Sequence, residues 1–160
     1  IEREQKDWAY NNRASVKSSS GDKKGAIADY DIAIRINPQF AETYSNRGVT
    51  KLSLGDKQGA MADYNIAIRI NPQFAQAYNN RGINKFKLGD KDGAISDCDL
   101  AISVDPQYAQ TYGTRAAIRY ELGDNKGAFS DYSIAAQLFK AQNNIDAYEK
   151  VMSLMQLISN

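Results

Sequence analysis

Apolar and small residues recur at steps of three and four along most of the chain, broken at regular intervals by a Gly-Asp pair and by an Asx-Pro-Gln step. Between the breaks the period is that of an amphipathic helix and not the alternation of a strand. Ile27, Tyr30 and Ile34 form one such stripe, with Ala33 small enough for a neighbouring helix to come close. The breaks are evenly placed. Gly21-Asp22, Gly55-Asp56, Gly89-Asp90 and Gly123-Asp124 each follow the last by 34 residues, and Asn37-Pro38, Asn71-Pro72 and Asp105-Pro106 keep the same spacing. The pattern predicts four units, 7–40, 41–74, 75–108 and 109–142, each a pair of helices joined at the Gly-Asp. Gly supplies the left-handed residue that ends the first helix, and Asp caps the second. The Asx before Pro closes the unit. A pair of short helices cannot bury both faces alone, so neighbouring units must stack, and the expected fold is an all-α solenoid.

Eight places are identical in all four units. They include Tyr10, Tyr44, Tyr78 and Tyr112; Arg13, Arg47, Arg81 and Arg115; the Gly-Asp pair; a Gly-Ala pair beginning at Gly25; Asp29, Asp63, Asp97 and Asp131; and Ala33 with its equivalents. An antiparallel hairpin brings each Arg close to the Asp sixteen residues on, so these read as a ladder of ion pairs orienting the helices and not as an anion site. Lys17, Lys51, Lys85 and Arg119 also repeat; their charges are offset by nearby Glu and Asp, no RNA-binding motif accompanies them, and they read as a solvated face.

The 34-residue period, with Gly48 or Gly82 in the first helix and Ala60, Tyr64, Ala67 and Pro72 at their spacings, resembles the tetratricopeptide repeat family over about residues 7 to 142. The forms Tyr78-Asn79-Asn80-Arg81-Gly82, Leu54-Gly55-Asp56-Lys57 and Ile70-Asn71-Pro72-Gln73 are similar to a bacterial subtype abundant in cyanobacteria. The resemblance implies a right-handed superhelix whose first helices line a concave groove. Ala14 and Ala116 stand where that family usually has Gly, Cys98 replaces an aromatic residue, and Lys140 replaces the Pro of the fourth unit. Without that Pro the helix from about 125 is expected to run on towards Ala141.

Variation between units falls at places 2, 5, 9, 12 and 13 of the first helix, a spacing that shares one face. By the resemblance that face lines the groove. It offers Trp8, Asn11 and Asn12 from the first unit, Asn46, Val49 and Leu52 from the second, Asn79, Asn80, Ile83 and Phe86 from the third and Tyr120 from the fourth. Asn12, Asn46 and Asn80 repeat at the sixth place, where an amide can both donate to and accept from an extended peptide backbone; each can equally bond water or a neighbour. Val49, Leu52, Ile83, Phe86 and Tyr120 form either an apolar floor for a partner or packing between adjacent first helices. The two-carboxylate clamp of chaperone-binding relatives lacks its basic residues here, since Asn11, Ser15, Gln76 and Asn80 occupy those places.

After Asn143-Asn144, residues Tyr148, Val151, Met152, Met155 and Ile158 share one helical face. The segment 143–160 is expected to cover the open end of the stack, and Leu154 and Leu157 widen its stripe enough for contact with a second chain.

Composition removes most alternatives. The chain of 160 residues is 42% apolar and 24% charged, enough for a core under a solvated surface, and its net charge of +1 creates no field to draw nucleic acid. It contains no His, which removes the commonest metal ligand and general base, and the single Cys98 excludes an intrachain disulfide and reads as a buried small apolar residue. No cofactor, metal or catalytic residue is expected. Nothing approaches the ~20 apolar residues of a membrane span. The first residue is Ile1 and not Met, so the chain reads as a fragment or processed form and its compartment stays open. The expected function is noncatalytic holding of a protein or peptide in the groove, with homo-oligomerisation through the terminal helices as the alternative.

Overall fold

A computed structural model describes residues 2–159, with side chains from Lys6 onward. The described residues form helices α1 (Glu2–Ser19), α2 (Lys23–Ile36), α3 (Ala41–Ser53), α4 (Lys57–Ile70), α5 (Ala75–Lys87), α6 (Lys91–Val104), α7 (Ala109–Glu121), α8 (Asn125–Ala141) and α9 (Ile145–Ser159), with no strand among them.

Each hairpin is fixed by its turn. Gly21, Gly55, Gly89 and Gly123 have φ of 97, 87, 90 and 83°, the region an L side chain rarely adopts. The next residue caps the second helix: Asp22 Oδ1 accepts from the Gly25 amide at 2.9 Å, and Asp56, Asp90 and Asp124 do the same for Gly59, Gly93 and Gly127. A Cβ at any of these second glycines would run into the capping carboxylate, which accounts for their constancy. The Asx-Pro-Gln step is an Asx turn, in which the Gln39, Gln73 and Gln107 amides donate to Asn37, Asn71 and Asp105 Oδ1 at 3.1, 3.0 and 2.9 Å. The fourth unit lacks this turn, and α8 runs for 17 residues where α2, α4 and α6 have 14.

Within a unit the helices pack at the small residues. Ala14, Ala26, Ala33 and Tyr30 are buried, and at Gly48 an added Cβ would stand 2.7 Å from Tyr64 Cε1. Each second helix then packs on the next first helix. First helices also touch one another from unit to unit, α1 on α3, α3 on α5 and α5 on α7, whereas second helices do not do so to a comparable extent. The first helices therefore lie on the closed, inner side of the curve.

At the far end α9 packs on α8. Val151 is buried against the cluster of Ala135, Ala136 and Phe139, and Tyr148, Leu154, Met155 and Ile158 are partly buried around it. The expected face needs one correction: Leu154 turns inward and Met152 is exposed, because the helix rolls about Val151. Leu157 is 69% exposed. No helix among the described residues is long and apolar enough to cross a membrane.

Candidate functional site

The seam between the two helices of each unit carries a repeated ionic lattice. Arg47 Nε and Nη2 donate to the two oxygens of Asp63 at 2.9 and 2.6 Å, and Arg13, Arg81 and Arg115 grip Asp29, Asp97 and Asp131 in the same bidentate way at 2.7 to 2.8 Å. The carboxylates are buried. From the second unit on, the third guanidinium nitrogen reaches back to the preceding hairpin, Arg47 to Asp31 at 2.6 Å, Arg81 to Asn65 at 2.9 Å and Arg115 to Asp99 at 2.6 Å. Each Arg also lies over the Tyr three residues before it, with 4.9 to 5.8 Å to the ring centroid. These guanidiniums are committed to the stack.

The reading of Lys17, Lys51, Lys85 and Arg119 as a solvated face is corrected by the structure. They pair with the same four carboxylates at 2.8, 2.9, 3.1 and 2.9 Å. Each stands one turn beyond its Arg on the same helix face, so two cations flank one buried anion. The Arg13 guanidinium, together with Lys17, holds Asp29 down at about 2, against the opposing effect of burial.

The inner side differs from unit to unit. Asn11 and Asn79, expected to line the groove, are instead buried, with 2% and 4% exposure, between consecutive first helices. The physical reason is that the first helices touch one another, so the fifth place turns into their contact. Asn46 Nδ2 donates across it to Asn11 Oδ1, and Asn80 Nδ2 to Ser45 Oγ, both at 3.3 Å. Asn46 and Asn80 thus each spend one amide N–H inside the stack. At the next rung Thr114 takes the sixth place and no bond forms, leaving Asn79 Oδ1 buried without a partner.

Two adjoining recesses open on this side. One, of about 340 Å³, lies between α3 and α5 and is lined by Val49, Leu52, Ser53, Asn80, Ile83 and Lys87 with Tyr64 of α4. The other, of about 590 Å³, runs from α5 across α7 to α9 and is lined by Ile83, Phe86, Lys87, Thr114, Ala117, Ile118, Tyr120, Glu121, Tyr132 and Leu154. Ile83 and Lys87 belong to both, so the two form one interrupted trough. Val49, Leu52, Asn80, Ile83, Phe86 and Tyr120 come together here; Asn12 and Asn46 are half-buried outside it, and Trp8, 60% exposed, stands at the N-terminal end.

Tyr64, Tyr132 and Leu154 were not anticipated as lining. The first two belong to the apolar stripe of the second helices, and their length, not their periodicity, carries them to the inner side. Cys98 holds the equivalent place in α6. It is fully buried beside Ala94 and Ile118 with Phe86 packed against it, and burial pushes its thiol up to about 12. No group of three or more His, Cys, Asp or Glu among the described residues could hold a metal ion.

Among known proteins, the family model described as tetratricopeptide repeat matches residues 9–40, 41–74 and 75–108. No curated protein matches the chain. The crystal structure of TTC0263, a thermophilic TPR protein of Thermus thermophilus, is similar with a TM-score of 0.84 at 19% identity, covering 95% of this chain and 82% of that one. The first TPR of Spaghetti (RPAP3), bound to the HSP90 peptide SRMEEVD, gives 0.69 at 22% identity over 74% of this chain and 94% of that chain. The TPR2B domain of yeast Sti1, in a complex with pHsp70, gives 0.70 at 25% identity over 74% and 95%. The likeness is one of fold.

Proposed function

Because the chain belongs to the tetratricopeptide repeat family, we propose that it is a noncatalytic interaction module that receives a segment of a partner protein along the inner trough. The observation that carries this reading is the pair of adjoining recesses, which expose apolar side chains of α3, α5 and α7, on the first-helix face whose residues differ between units, together with Leu154 of α9. The larger recess has the size and apolar lining of a ligand site. The HSP90-peptide complex of one similar structure and the pHsp70 complex of another support the same use of the fold. Buried carboxylates and guanidiniums that elsewhere would suggest chemistry are here paired with one another.

The test is a selection of random dodecapeptides displayed on phage, followed by titration of the tightest peptide into the 15N-labelled chain. Amide shifts are expected at Asn80, Ile83, Ala117 and Leu154; shifts confined to α2, α4 and α6 would overturn the reading.

A second reading, association of two copies through the C-terminal end, is favoured by one observation. Phe129 and Met152 are exposed together beside a shallow recess of about 420 Å³ lined by them with Met155, Gln156 and Ser159. Light scattering over a range of concentrations decides it: growth to a dimer that Met152→Lys abolishes supports the contact, and a constant monomer mass removes it.

A further inference from the structure

Along the stack, each first helix meets the second helix before it at three places. On α7 they are Tyr112, Arg115 and Ile118. Tyr112 lies in one cluster with Ile102 of α6, Ile118 lies in another with Ile95, and between them Arg115 Nη1 donates to Asp99 Oδ1 at 2.6 Å. The order reverses from one helix to the other, so the two run antiparallel. To this joint α6 brings an apolar residue, an acid and an apolar residue at steps of four and three, and α2 and α4 repeat the set as Ile27, Asp31, Ile34 and Met61, Asn65, Ile68. Asp31 and Asn65 accept from Arg47 and Arg81 as Asp99 does from Arg115. On α1 the three places hold Tyr10, Arg13 and Val16. The Arg13 side chain is 56% exposed where those of Arg47, Arg81 and Arg115 are 15, 17 and 15%, and Val16 is 69% exposed where Thr50, Asn84 and Ile118 are 1, 0 and 3%. Ala9 is exposed too, at the place where Thr43, Ala77 and Thr111 are buried. Arg13 spends Nε and Nη2 on Asp29, and its third nitrogen makes no bond among the described residues.

The complement stands at the other end of the same chain. α9 packs on α8 through Val151 and leaves an outer face exposed, and that face carries Ile145, Glu149 and Met152. These are again an apolar residue, an acid and an apolar residue at steps of four and three, on one helical stripe. We infer that α9 of a second copy docks antiparallel on α1, so that copies of this chain join head to tail. Glu149 accepts from the third nitrogen of Arg13, Met152 lies on Tyr10 and Ile145 on Val16, and the small Ala9 lets the helices come close. The opposite charges fix the register. The contact rests on the second reading above in using the C-terminal end, and it names α1 as what covers that end. Because two different patches meet, every pair leaves one α1 and one α9 open, and assembly continues past the dimer. A contact one helix wide belongs to the small, transient class of interface, below about 1,200 Å².

The experiment is sedimentation velocity on the full chain at concentrations rising to about 1 mM, where weak contacts fill. Val16→Glu blocks the α1 face and Glu149→Lys blocks the α9 face. Both side chains are exposed, so the two variants are expected to melt at the wild-type temperature. The wild-type mass should grow with concentration past that of a dimer. Each variant alone should stay a monomer, its contact weakened about tenfold or more by the misplaced charge. An equimolar mixture of the two should reach a dimer and stop there, because the intact α9 of the first can meet the intact α1 of the second and nothing further can add. A wild-type mass that stays at the monomer, or a mixture no heavier than its components, overturns the inference. So does Glu149→Lys forming dimers by itself. Val16→Glu forming dimers by itself also overturns it, and leaves standing the association through two C-terminal ends.

Discussion

The seam and the inner trough of this stack are built from the same helices but follow opposite rules. In the seam every unit repeats one arrangement, a buried carboxylate gripped by an Arg and flanked by a second cation, with bond lengths that barely change from Asp29 to Asp131. Between consecutive first helices, beside the trough, no two rungs are alike: Asn46 meets Asn11, Asn80 meets Ser45, and Thr114 leaves Asn79 unanswered. Repetition is what stacking requires, since each unit must present its neighbour with the same surface. Among the first helices, the places that depart from it gather on the inner face, where stacking is not the sole demand.

The largest expected effect comes from breaking the seam. Asp63→Ala leaves the Arg47 and Lys51 charges facing an apolar gap, and removing one partner of a buried ion pair costs about 3–5 kcal/mol. Urea denaturation monitored by circular dichroism should show that loss. A change below ~1 kcal/mol, as for an exposed pair, would contradict the assignment. A smaller loss follows at the hairpin tip, where Asp56→Ala removes the cap on Gly59 and should cost about 1 kcal/mol in the same assay.

At the last fifth place, on the inner side, the sign reverses. An added Cβ at Gly113 meets nothing within 4 Å, so Gly113→Ala should stabilise by up to about 1 kcal/mol through helix propensity alone. A loss of stability there would mean that the inner side is as tightly specified as the seam. A further effect, confined to acid, separates the seam from the trough by pH. The folded value of Asp29, about 2, lies below its ordinary 3.8, so its contribution is complete above about pH 4 and is lost as pH falls through 2. Asp29→Asn should flatten that part of the stability profile, and a wild-type slope retained by the variant would exclude Asp29 as its source.

How much of this was legible beforehand differs between the same two regions. The seam could be read: Gly21 and Asp22 with their copies announced the turn and cap, and the constant spacing of Arg and Asp announced the pairing. Even so, Lys17 and its copies read as solvated, because a periodic pattern does not reveal that two successive turns aim at one carboxylate. The trough was harder. The place of Asn11 and Asn79 varies between units as a surface place does, yet both side chains are buried, because the roll of each first helix is set by packing along the stack. Tyr64 gave no signal as lining, since its place in the recess wall depends on how α4 packs against α3 and α5. At the far end, the exchange of Met152 for Leu154 likewise depends on how α9 rolls on α8, which no single-helix pattern fixes.

The division between seam and trough is tested most directly by measuring melting temperature and peptide affinity together on two variants, Arg81→Ala in the seam and Ile83→Ser with Tyr120→Ser in the trough. Arg81→Ala is expected to melt several degrees lower yet bind the selected peptide normally below its transition, while the trough variant keeps most of its stability and loses binding. A trough variant that binds as wild type, or a folded Arg81→Ala chain that does not bind, would contradict that division.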